Sequence, residues 1–247
     1  MKGVVAVTPD DEALAAVLAS AWGVTVLHAD CCVDTALYGW VLQGWVGLRC
    51  RAIAKKPLYL DFVAGPWVRR AAQLQTEPVL QAIGYKPGVH CTVWDATAGL
   101  GRESFLFAVA GLSVVSIERH PVLCALLENG LARLQAAGVI YDWTVWGGDC
   151  TQWMMKPRPD IIYLDPMFPL RTKSAVVKKE MQFVQQLVTL QDGSEETTLL
   201  QWALSVALRR VVVKRPLNAD PIGRIKPSGY YQRGVYRWDV YSSKIAQ

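Results

Sequence analysis

The chain has 247 residues, 52% of them hydrophobic and 19% charged, a balance that excludes intrinsic disorder and fits a well-packed α/β protein. No stretch reaches the roughly 20 uninterrupted apolar residues of a membrane span, and Pro9, Asp10 and Asp11 arrive too early for a signal-peptide core, so a cytoplasmic protein is expected. Net charge is +5, and the six cysteines and three histidines show neither CxxC nor Cys/His ligand spacing, which argues against a disulfide framework and a zinc site.

Residues 1–65 read as a small α/β unit. GVVAV suggests a strand and DDEALAAVLASAW a helix, capped by Asp10 or Asp11 and apolar on one face from Leu14 to Trp22. VTVL, ALYGWVLQGWVGLRCRAI and PLYLDFV follow as strands punctuated by glycines, with Trp22, Trp40 and Trp45 as packing residues. RRAAQLQTEPVLQAIG is a loop and a short helix ending at Gly84. Strands and helices then alternate, the signature of a parallel sheet with crossover helices. HCTVWDA, LSVVSIE, DWTVWGG, DIIYLDP and RRVVVKR are the strands; GRESFLFAVAG, PVLCALLENGLARLQAAG and TTLLQWALSVAL are the helices. GYYQ and VYRWDVYSS close the chain as two strands joined by a turn at Gly234. The division expected is a small α/β subdomain over 1–65 and a second domain over 66–247.

The strand-to-helix turn Asp95-Ala-Thr-Ala-Gly99-Leu-Gly101-Arg102 is the first chemical motif. Parallel sheets bind ligands beyond the carboxyl ends of their strands, and glycines there admit a ligand to the backbone. Ser104 stands where a dinucleotide fingerprint has its third glycine. Asp95 would repel a pyrophosphate and suits a ligand with a positive group, such as S-adenosylmethionine with its ammonium and sulfonium. Glu118, closing the second strand of this unit about twenty residues on, is placed to accept both ribose hydroxyls. An NAD site uses the same device, so Glu118 identifies a nucleoside without choosing one.

Asp165-Pro166-Met167-Phe168 directly follows the apolar strand IIYL. An amine on a base is a poor nucleophile, because its lone pair is delocalised into the ring. The site must hold that nitrogen in line and accept its N–H bonds, with an aromatic ring stacked on the base. Asp165, the Pro166 carbonyl and Phe168 are the candidates. Gly148 and Asp149 end the third strand, where an adenine ring and its amine would lie, and Arg102 opens the helix after the glycines. Two basic clusters follow, Arg171, Lys173, Lys178 and Lys179, then Arg209, Arg210, Lys214, Arg215, Arg224 and Lys226, and they point to a polyanionic partner.

With DATAGLGRESF, IERHPVLCALLENGLAR, YLDPMFP, KSAVVKKEM and VVVKRP in hand, and DFVAG with Arg69 and Arg70 as a weaker match, the chain resembles the bacterial small-subunit ribosomal RNA guanine-N2 methyltransferase J family. The match covers most of residues 58–216. The resemblance implies a Rossmann-like class I S-adenosylmethionine-dependent methyltransferase sheet with a small N-terminal α/β extension. It also implies methylation of the exocyclic N2 of a guanosine in 16S rRNA, free or within the small subunit. The family's cofactor contacts carry over onto Arg102, Glu103, Glu118, Arg119, Gly148, Asp149 and Asp165, beside Asp95, Gly99 and Gly101 from the motif. RNA contacts fall to Arg171, Lys173, Lys178, Lys179, Lys214 and Arg215. GGDC departs from the family's small, serine-rich pattern at that point. Read from the residues, another amine methyltransferase, on adenine or on a protein glutamine, stays open, and an NAD-dependent oxidoreductase shares the sheet, the glycines and Glu118.

Overall fold

The computed structural model describes residues 1–64, 66–152, 157–167, 178–188 and 193–243. Its first sheet takes β1 (Val4–Ala6), β2 (Val26–Leu27), β3 (Tyr38–Leu42), β4 (Trp45–Arg49) and β5 (Leu58–Tyr59) in the order β2-β1-β3-β4-β5, with helix α1 (Glu12–Trp22) beside it. The β3–β4 hairpin turns on Gln43 and Gly44, both left-handed at φ 51° and 73°, as a two-residue connection with right-handed strand twist requires. Asp11 precedes α1 but makes no side-chain capping bond. Its carboxylate instead accepts from the Gln43 and Gly44 amides at 3.0 and 2.9 Å, and from Thr8 Oγ1 at 2.6 Å. The expected cap is therefore a clasp on the hairpin, whose two turn amides have no strand partner of their own.

Helices α2 (Pro66–Ala71) and α3 (Pro78–Ile83) lead into the second sheet, α3 ending on left-handed Gly84. Its elements are β6 (Thr92–Asp95), α4 (Arg102–Val109), β7 (Ser113–Glu118), α5 (Pro121–Ala136), β8 (Trp143–Gly147), β9 (Ile161–Leu164), α6 (Lys179–Leu187), α7 (Gly193–Val206), β10 (Arg210–Pro216), β11 (Gly229–Arg233) and β12 (Tyr236–Ser242). Seven strands pair in the order β11-β12-β10-β9-β6-β7-β8. From β10 to β8 the neighbours are parallel, while β12 runs antiparallel between β10 and β11. Every residue of β9 is buried, as expected of a strand covered on both faces. The strands and helices expected from the alternating pattern are all present. Helix α6 is not among the expectations, which place only the basic Lys178 and Lys179 here; Phe183 and Val184 are its buried residues.

The apolar core runs across residue 65 without a break. Val4, Leu18, Leu48 and Phe62 belong to the same cluster as Phe105, Leu127 and Trp143. The Phe62 ring lies 5.2 Å from that of Phe105 and 5.0 Å from that of Trp143. Gly130 on α5 admits this approach, since a Cβ there would sit 2.8 Å from the Phe62 ring and 3.1 Å from Leu60. Asn129 on α5 adds polar bonds, accepting from the Val46 amide at 3.0 Å and donating to the Gly44 carbonyl at 2.9 Å. The first sheet thus rests on the helices that position the second sheet's turns.

Candidate active site

Strand β6 lies between β7, which follows it, and β9, which the chain reaches after crossing back. That reversal opens a crevice at the carboxyl ends of the strands. Asp95, Glu118 and Asp165 all stand there, at the ends of β6 and β7 and just beyond β9. The turn after β6 is laced to both neighbours, Ala96 N donating to Tyr163 O at 3.0 Å and Ala98 N to Ile117 O at 3.1 Å. Gly99 and Gly101 are left-handed, at φ 55° and 69°, a conformation that costs any other residue a backbone penalty.

Asp95 is 2% exposed. Its Oδ2 accepts from Ser104 Oγ at 2.6 Å; Ser116 Oγ donates to Ser104 Oγ at 2.7 Å, and Trp143 Nε1 to Ser116 Oγ at 2.7 Å. Ser104, in the place of the third glycine, thus has a task of its own: it holds the motif's carboxylate. Among the described residues Asp95 Oδ1 has no hydrogen-bond partner. Burial lifts the Asp95 pKa to about 7, against the Ser104 bond, which lowers it. A buried carboxylate with an unmatched oxygen is costly by itself and is relieved by a cation or a donor, so it fits the ammonium of S-adenosylmethionine.

Glu118 is 7% exposed, and its two oxygens accept from the Gly99 and His120 amides, each at 2.7 Å. Burial raises its pKa, with those amide bonds opposing. Each carboxylate oxygen retains acceptor capacity for a ribose hydroxyl. Gly148 stands beside it, at φ 139°, its amide donating to Glu118 O at 3.0 Å. Asp149 Oδ1 accepts from Thr151 N and Oγ1 at 2.9 and 2.8 Å, which makes it the organiser of its own turn.

Asp165 is fixed from two sides. Its amide donates to Thr97 Oγ1 at 2.6 Å, tying this loop to the glycine turn, and its Oδ2 accepts from Lys214 Nζ at 2.7 Å. Lys214 also lies 3.8 Å from Glu103 Oε1, which accepts from Arg70 Nη1 at 3.3 Å, while Arg70 Nη2 donates to Glu77 Oε2 at 2.9 Å. The result is an alternating chain of charges along one wall. Burial raises the Asp165 pKa against the pull of Lys214. Burial also acts to raise Glu103, but Lys214, Arg70 and Arg102 hold it below the usual glutamate value.

The remaining expected residues are dispersed. Arg102 pairs with Glu180 of α6 and lies over the Trp67 ring at 5.4 Å. Arg119 is paired with Glu195 at 3.5 Å on the surface. Lys178 and Lys179 are exposed where α6 begins. The fold splits the second basic cluster: Arg210 donates to Ala82 O at the amino end of β10, about 13 Å along the strand from Lys214. Lys214 is in the site, and Arg215 is 7% exposed, bonded to Glu196 at 3.1 Å and to Asp220 O at 2.7 Å. That placement removes Arg215 from phosphate reach and corrects the expectation for it. Side chains alternate across a strand, so adjacent Lys214 and Arg215 face opposite sides of the sheet. Pro166 is buried; Phe168, Arg171 and Lys173 lie outside the described residues. Among the described residues no cluster of three His, Cys, Asp or Glu side chains is arranged to hold a metal, and no helix is long and apolar enough to cross a membrane.

Thr97, Ser116 and Glu77 join the site without a sequence signal of their own, and Arg70 gains its role only in the fold. Thr97 lies inside the glycine motif and Arg70 in the weak DFVAG match, but the partners that give them meaning are distant in the chain.

Residues 35–243 match the family described as "Putative SAM-dependent methyltransferase". Ribosomal RNA small subunit methyltransferase J of Thioalkalivibrio sulfidiphilus is 44% identical over 198 residues, 76% of this chain and 77% of that protein. The protein of the same name from Dechloromonas aromatica is 40% identical over 225 residues, 83% and 88% of the two chains. A crystal structure of a SAM-dependent methyltransferase from Neisseria gonorrhoeae superposes with a TM-score of 0.72 at 28% identity, covering 100% of this chain and 98% of that one.

Proposed function

The chain belongs to the ribosomal RNA small subunit methyltransferase J family of S-adenosylmethionine-dependent methyltransferases, and on that premise we propose that it methylates the exocyclic N2 of a guanosine in 16S rRNA. The observation that carries the proposal is Asp165, held by Thr97 and Lys214 beside the pocket of Asp95 and Glu118. When bound, S-adenosylmethionine supplies an electrophilic methyl group on its sulfonium.

In this reading Asp95 takes the ligand's ammonium, Glu118 its ribose hydroxyls, and Gly99 and Gly101 let it reach the backbone; Gly148 and Asp149 border the adenine. Asp165 accepts an N–H of the guanine amine and turns the nitrogen lone pair toward the pocket. The Pro166 carbonyl is the second acceptor, and Phe168 supplies the stacking ring. A carboxylate whose pKa is raised by burial is also a better acceptor for the proton the amine gives up after methylation. Lys178 and Lys179, with Arg171 and Lys173, hold rRNA phosphates. The protein works on rRNA or the small subunit in the cytoplasm.

The test offers labelled S-adenosylmethionine with 16S rRNA, DNA and a protein fraction. Label on guanine N2 supports the reading; label on adenine or on a protein glutamine replaces it.

A further inference from the structure

β11 and β12 form one edge of the larger sheet. Their register pairs Tyr231 with Trp238 and Arg233 with Tyr236, and directly paired residues share a face. Lys214, paired with Trp238, lies on that face too. Trp238 is 5% exposed and sits in the core, whereas Tyr231 is 41% and Tyr236 46% exposed. Arg233, also exposed, donates to Thr76 O at 3.2 Å.

The end of this hairpin that carries Arg233 and Tyr236 is the active-site end. β10 runs parallel to β9, and its last residue, Pro216, pairs with Tyr236. The Tyr236 ring lies 5.0 Å from Lys214 Nζ, which is itself 2.7 Å from Asp165 Oδ2. An exposed aromatic face therefore stands at the rim of the crevice, one side chain away from the carboxylate that receives the amine. Covering Lys214 explains only part of this, since nearly half of Tyr236 stays in water and Tyr231 continues the aromatic face where no lysine needs cover. Aromatic rings interleaved with cations, continuous with a nucleotide site, are what a single RNA strand needs for stacking and phosphate neutralisation.

We propose that Tyr236 is a base-stacking residue, taking the nucleobase next to the target guanosine while Arg233 meets the adjoining phosphate. The inference rests on the RNA reading above and adds to it a surface on β11 and β12, remote in sequence from the DPMF loop.

The test is steady-state methyl transfer to 16S rRNA by the wild type and by Tyr236→Phe, Tyr236→Leu and Tyr236→Ala. Loss of one stacked base predicts a KM for RNA raised about 5- to 100-fold in the Leu and Ala variants. Their kcat should stay within about threefold, and Tyr236→Phe should match the wild type. S-adenosylhomocysteine affinity should be the same in all four. Arg233→Ala should reduce the salt slope of RNA binding by about one. A Leu or Ala variant with wild-type KM overturns the inference, as does a Phe variant as impaired as Ala, which would assign the effect to the hydroxyl. A wild type that binds S-adenosylhomocysteine but transfers no methyl to 16S rRNA overturns the RNA reading itself, a result distinct from either.

Discussion

Lys214 Nζ lies 2.7 Å from Asp165 Oδ2 and 3.8 Å from Glu103 Oε1, so one strand supplies the cation that lets a buried and a half-buried carboxylate share a site. Removing it by Lys214→Met takes away the influence that opposes burial at Asp165. The Asp165 pKa then rises further, its carboxylate fraction at a given pH falls, and the acid limb of kcat/KM moves to higher pH. Measuring that profile for both proteins checks the arrangement. An unmoved limb would mean that Lys214 serves the RNA and not the carboxylate.

Asp95 makes stability and ligand binding depend on pH with a definite sign. Its pKa is about 7 in the folded chain against 3.8 for an unperturbed aspartate. The folded state therefore disfavours the charged form, and stability is lost as pH rises between those values, on the order of 4 kcal/mol in total. Urea unfolding at about pH 5 and about pH 8 should show a smaller loss for Asp95→Asn than for the wild type. S-adenosylhomocysteine, which keeps the ammonium, should bind the wild type more tightly at the higher pH. Equal pH dependence in the two proteins would remove Asp95 from the ligand's amine.

The two motif glycines should fail differently. A Cβ on Gly101 would lie 2.5 Å from Leu127 Cδ2, while one on Gly99 meets nothing closer than Thr97 O at 3.9 Å. Both are left-handed, so both substitutions strain the backbone. Gly101→Ala should cost about 1–3 kcal/mol of stability and Gly99→Ala less, by chemical denaturation. The reverse order would contradict the packing described around α5.

Exposure separates the cations. Replacing Lys178 and Lys179 with alanine should lower the salt slope of rRNA binding by about two, if each neutralises one phosphate. Arg215→Ala should leave the slope unchanged while destabilising the fold by about 3–5 kcal/mol, because it strands Glu196 in a buried pair. A slope reduced by Arg215→Ala in a stable protein would return that residue to the RNA surface.

Much of this was legible in the sequence because period and turn chemistry act locally. IIYL followed by DP, and SVVSIE ending on an acid, declare buried parallel strands with functional residues at their tips. Helix α6 carries a helical signal, with Met181, Val184 and Leu187 recurring every three residues, but it follows the charged Lys178, Lys179 and Glu180 and buries only Phe183 and Val184. The hydroxyl chain from Asp95 to Trp143, the Thr97–Asp165 bond and the Arg70–Glu103 pair join residues 33 to 68 positions apart where a serine alone is silent. The basic run around Lys214 misled for a related reason: linear density of charge does not say which side of a strand each residue faces.

The central claim, that Asp165 presents a guanine amine of 16S rRNA for methylation, is tested most directly by mass mapping of modified nucleotides. 16S rRNA would be taken from cells with the protein, without it, and with only the Asp165→Ala variant. The account predicts an N2-methylguanosine present in the first and missing from the other two, with the variant keeping S-adenosylhomocysteine affinity within about tenfold. An unchanged set of N2-methylguanosines, or an active Asp165→Ala enzyme, would contradict it.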